Sequence, residues 1–131
     1  MEHIIFESNS TKLSLDNVIG CLRLQIKGYI NDDEFKDILI NAMNHFPKLN
    51  VTKTLNDFRE FKGTSPAMQK WVITNYYPAL VKNGLTHGAL VLNSDIFAKF
   101  AAKNVQGKAS QEFDYQIFPS LEEAEDWLGK H

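Results

Sequence analysis

The period of the apolar residues changes partway along this chain, and that change restricts the fold more than any other feature. Leu13 and Leu15 alternate with polar neighbours, and so do Leu22, Leu24 and Ile26. A period of two places one set of side chains on one face of a sheet. Ahead of them "EHIIFES" is short and apolar-centred and reads as a strand, and "LDNVIG" reads as a hairpin connection. The first third is therefore expected to be an antiparallel meander. From "NDDEFKDILINAMNHFP" onward the period becomes helical, with Phe35, Ile38, Leu39, Ala42, Met43 and Phe46 on one stripe. Asn31 or Asp32 caps that helix, its acidic first turn suits the dipole, and Pro47 ends it.

Strand and helix signals then alternate. "VTKTLND" reads as a strand, and Ser65-Pro66 opens a second helix carrying Met68, Trp71, Val72 and Tyr76. Pro78 should kink that helix near Asn75, and Asn83-Gly84 should stop it. "THGALVLN" reads as a strand covered on both faces. Ser94 caps a third helix that ends near Gly107, "EFDYQIF" is a last strand, and Ser120 caps a final helix with Leu121, Ala124, Trp127 and Leu128 on its inner stripe. The order β-β-β-α-β-α-β-α-β-α predicts one α/β domain over residues 1–131, with a meander continuing into a mostly parallel sheet and four helices.

Several chemistries lack their residues. The 131 residues carry a net charge of −2 and show no basic stretch, so no nucleic-acid footprint is expected. There is no G-x-S-x-G elbow and no glycine-rich phosphate loop. His3, His45, His87 and His131 have no metal-ligand spacing, and no metal or cofactor is expected. The lone Cys21 lies in an apolar run and reads as a buried, inert thiol in a reducing compartment. "MEHIIFESNS" does not read as a signal peptide, and no apolar run reaches the ~18 residues of a membrane helix. A cytoplasmic protein without membrane insertion is the expectation.

The stretch "NDFREFKGTSPAMQKWV" is the candidate site. Asp57 is expected at the C-terminal end of a central strand, the edge where open α/β sheets bind ligands. Arg59 and Lys62 would be exposed contacts in a 58–66 loop, and Ser65 or Thr64 would stand at a helix start that also tolerates a phosphate. His87 begins its strand while Asp57 ends another. In a parallel sheet the two lie at opposite ends, which argues against an acid–base pair.

Three stretches resemble the STAS domain, and more closely the small bacterial proteins grouped as SpoIIAA-like or STAS/SEC14-like. They are "LQIKGYINDDEFKDIL", "TLNDFREFKGTSPAMQKWVITNYYPALVKNG" and "FPSLEEAEDWL". The resemblance spans nearly the whole chain. It implies a non-catalytic regulatory or protein-interaction module with a protein partner. In anti-sigma antagonists of that family a serine at the corresponding helix start is phosphorylated. The family's Asp-Ser-Ser-Gly motif is missing here, and Ser65 and Thr64 are the nearest positions. An alternative stays open: a small apolar-ligand carrier whose pocket is lined by Trp71, Tyr76, Tyr77, Phe97 and Phe100. A homodimer through a Tyr76–Tyr77 patch is a further alternative.

Overall fold

The computed structural model describes residues 2–103 and 112–131, with the side chains of residues 100–103 excepted. Six strands form one mixed sheet in sequential order. Strands β1 (Glu2–Glu7), β2 (Thr11–Asp16) and β3 (Cys21–Gly28) are the antiparallel meander. Strands β4 (Lys53–Phe61), β5 (His87–Val91) and β6 (Asp114–Phe118) continue from β3 in parallel. The helices are α1 (Asp32–His45), α2 (Pro66–Trp71), α3 (Tyr77–Lys82), α4 (Ser94–Lys103) and α5 (Leu121–Gly129). The α/β class and the meander-then-parallel sheet agree with the expectation from periodicity. The third helix was expected to stop at Gly107, which lies outside the described residues, as does the Phe100 side chain.

Local chemistry sets the element ends. Asn31 rather than Asp32 caps α1, its Oδ1 accepting the Glu34 amide at 2.8 Å. Ser65 and Ser120 cap α2 and α5 by accepting the Met68 and Glu123 amides. The expected kink at Pro78 takes the form of a π-helical turn, Val72–Tyr76, joining α2 to α3. Pro78 has no amide to donate, and the ladder resets one residue earlier when the Tyr77 N–H reaches back to the Val72 carbonyl.

The two sheet faces are buried by different helices. On one face α1, α2 and α3 cover Leu13, Leu22, Leu24 and Ile26 with Phe35, Leu39, Phe46, Met68 and Leu80. On the other, α5 packs Ala124 and Leu128 against Cys21, Leu55, Ala89 and Val91. Lys53 fastens the far end of α5, its Nζ donating to the Leu128 and Ile19 carbonyls at 2.9 Å each. A cation on the last carbonyls of a helix suits the dipole. Burial pushes the Cys21 thiol up to about 12, in line with an unreactive core cysteine.

Tyr76 and Tyr77 correct the expectation of an exposed dimer patch. They are 1% and 5% exposed. Tyr77 packs against Tyr76, Phe113 and Tyr115 with ring centroids 5.1–5.5 Å apart. Its hydroxyl accepts the Asn56 side-chain amide at 3.2 Å, which satisfies the polar end of a buried ring. This cluster crowds Gly88. A Cβ there would lie 2.9 Å from the Phe113 ring and 3.3 Å from Thr54 Oγ1. Gly88→Ala is expected to lower unfolding free energy by about 1–3 kcal/mol through overpacking. Gly129→Ala, on α5 with open space around it, should leave stability unchanged or raise it by up to ~1 kcal/mol. Urea denaturation of the two variants is the check.

Candidate functional site

The structure divides the residues of the candidate stretch between two places. β4 does not end at Asp57 but runs on through Phe61, so the expected 58–66 loop is shorter, and Asp57 and Arg59 stand inside the strand. A bulge accounts for the extension. Gln25 pairs with Asp57 and Lys27 with Glu60, so β4 carries one extra residue there. Up to Asp57 the strand alternates strictly. Asn56 points at α3, whereas Leu55 and Asp57 point to the α5 face.

Asp57 is nearly fully buried on that face and paired with its own neighbour. Arg59 Nε and one terminal guanidinium nitrogen each donate to the Asp57 carboxylate at 2.8 Å, and the Arg59 amide and Gln25 Nε2 donate at 3.3 and 3.4 Å. Burial pushes the Asp57 carboxyl up. The hydrogen bonds and positive charge of Arg59, with Gln25, outweigh that and hold it below the usual carboxylate range. A carboxylate so saturated is a weak general base. Nearer α5, Arg23 bridges Asp16 at 3.1 Å and Glu125 at 2.8 Å, continuing a polar lattice over this part of the sheet.

Lys62, Thr64 and Ser65 lie elsewhere, at the C-terminal edge of β3 and β4. Together with Gly63 and residues 29–33 they line an open groove of about 730 Å³. Next to it, Phe35 of α1 stacks on Phe61 at 5.4 Å and meets Phe58 edge-on at 6.2 Å, holding the first turn of α1 on β4. Two glycines make the surrounding turns, Gly28 with φ +74° and Gly63 with φ +110°, conformations that side chains disfavour. Between them the Lys62 amide donates to the Gly28 carbonyl at 2.9 Å. Ser65 closes one wall. Its hydroxyl donates to Asp32 at 2.7 Å while accepting the Met68 amide at 3.1 Å, so one oxygen ties together the starts of α1 and α2. Thr64 Oγ1 is buried with no hydrogen-bond partner among the described residues.

Among the groove residues that the sequence did not mark as a site, beside Asp32, is Tyr29. It is 81% exposed on the rim, while the next residue, Ile30, is buried. The signal was an aromatic placed directly after a strand-ending glycine. The aromatic residues considered for an apolar pocket are not in this groove. Tyr76 and Tyr77 are core, Phe97 is half-buried on α4, and Trp71 is half-buried under Lys36, whose Nζ sits 5.2 Å from its ring centroid.

The register also places His87 opposite Lys53 and Asp57 opposite Val91, at opposite ends of the parallel strands as expected. Among the described residues no group of three His, Cys, Asp or Glu could hold a metal ion, and no helix is long and apolar enough to cross a membrane. Comparison with known protein families and with curated proteins finds no match for this chain.

The Asp57–Arg59 pair has a pH signature. A carboxyl held low by folding adds stability that is fully present above its ordinary value near ~3.9 and is lost as pH falls through the folded value. Arg59→Gln should therefore cost about 1–2 kcal/mol at neutral pH. That is less than for a fully buried pair, because the Arg59 side chain is 39% exposed. The deficit against wild type should shrink once pH drops below about 4, as read by denaturant titrations across pH.

Proposed function

We propose that this chain is a non-catalytic regulatory or protein-interaction module of the STAS-like kind, and that its contact surface is the groove between residues 29–33 and 62–65. One observation carries the reading: the Ser65–Asp32 hydrogen bond, which holds two helix starts together beside an exposed tyrosine and an exposed lysine. Tyrosine offers a partner both apolar area and a hydroxyl at low entropic cost. Lys62 and the carboxylates of Asp32 and Asp33 add charges that fix the register of a bound chain. The site lies at the C-terminal ends of parallel strands, and the succession of meander, crossover helix and Ser-Pro helix start adds support from resemblance. A buried, saturated Asp57 with His87 at the far end of the sheet favours contact over proton transfer. Such a module would work with a protein partner in the cytoplasm.

The same hydrogen bond gives the groove a means of control. Phosphate on Ser65 would set a dianion against the Asp32 carboxylate that its hydroxyl now contacts at 2.7 Å. Like-charge repulsion would part the two helix starts, so modification would act by opening the wall. Ser65 suits this better than Thr64, whose hydroxyl is buried.

Affinity capture with the wild-type chain, Tyr29→Ala, Lys62→Glu, Ser65→Glu and the control Val18→Ala tests the proposal. Val18 is as exposed as Tyr29 but sits in the β2–β3 hairpin. A stoichiometric protein held by wild type and by the control, and weakened about tenfold or more by the three groove variants, is the expected result. The same partners on all five proteins, or none on any, would refute it.

A further inference from the structure

Away from the groove, three rings meet where α5 ends. Trp127 lies in the last turn of α5, and His131 follows two residues beyond its end, its amide donating to the Leu128 carbonyl at 3.2 Å. His131 stacks on His87 of β5 with ring centroids 4.3 Å apart and planes 20° from parallel. Trp127 stands edge-on to both, at 5.5 Å from His87 and 5.4 Å from His131. The charged and titratable groups around His87 come from every neighbouring element. Asp114 at the start of β6 lies 3.2 Å from Nε2, Lys53 at the start of β4 faces it, and Thr86 Oγ1 is 2.8 Å from Nδ1. Lys130, exposed, adjoins His131 in the chain.

We propose that the stacked His87–His131 pair is a proton-sensitive latch. It holds the last turn of α5 over the second core at neutral pH and releases it on acidification. Neutral imidazoles stack flat on each other, with Trp127 edge-on to the pair. Two imidazolium rings at this distance repel, and the Lys53 ammonium adds a third positive charge. Asp114, 3.2 Å from Nε2, opposes this and outweighs Lys53, but its side chain is 70% exposed and screened by water, so burial and His131 prevail. Burial, with the charges of His131 and Lys53, holds His87 below the ordinary histidine range against the pull of Asp114. The unfolded chain therefore takes up the proton first. The stabilising contribution is complete above about pH 6.5 and is lost as pH falls toward the folded value. The turn that leaves carries Leu128, and beneath it lie Cys21, Leu55, Ala89 and Val91.

Cys21, the single cysteine, reports the opening directly. Its labelling rate by a thiol reagent in the intact chain, divided by the rate in urea-unfolded chain at the same pH, cancels the thiol's own ionisation. Between about pH 7.5 and about pH 5.5 this ratio should rise about fivefold, and amide protection, taken against the intrinsic exchange rate at each pH, should fall in α5 but not in α1. In His131→Phe, which keeps a ring and removes one of the charges, the rise should be clearly smaller, what remains coming from the burial of His87. A flat ratio in wild type, an equal rise in His131→Phe, or matching loss of protection in α1 would overturn the latch.

Discussion

The alternation of side chains along β4 divides the molecule. Thr54, Asn56 and Phe58 turn toward α1, α2 and α3, and Leu55 and Asp57 turn toward α5. A strand with a period of two cannot offer successive residues to one surface. The two cores and the two polar sites follow from this. The Asp57–Arg59 pair belongs to the second face, where it extends the lattice begun by Arg23. Lys62 to Ser65 come after the strand ends and belong to the edge shared with α1.

Packing of α1 on the end of β4 then fixes one side of the groove. Phe35 lies in the first turn of α1, and its contacts with Phe58 and Phe61 hold that turn on the end of β4. With the helix anchored, Asp32 comes within reach of Ser65, and a serine that would otherwise only cap α2 becomes a tie between two helices. A surface so held is preorganised, which lowers the ordering cost of the contact proposed for it.

Much of this architecture was legible in the sequence. The change of period placed the strands and helices, and Asn31, Ser65 and Ser120 announced three helix starts. The extension of β4 was hidden because its bulge sets Phe58 and Phe61 three apart, which breaks the period of two at the point where charged residues already suggested a loop. Two adjacent tyrosines looked like surplus surface because the Asn56 amide that satisfies Tyr77 lies 21 positions away. The groove was half visible, through Ser65, Thr64 and Lys62. Its other half, with Tyr29 and Asp32, comes from the preceding crossover, and only the fold brings the two together. The histidine pair was invisible for the same reason, although the four-residue spacing of Trp127 and His131 was a partial sign.

The separation of the two faces is measured most directly by double-mutant cycles on stability. Ser65→Ala should couple to Asp32→Ala by about 0.5–1.5 kcal/mol, because one hydrogen bond is lost only once. Ser65→Ala and Arg59→Gln should be additive within about 0.5 kcal/mol, because they act on opposite sides of β4. Strong coupling between Ser65 and Arg59, with none between Ser65 and Asp32, would contradict the account.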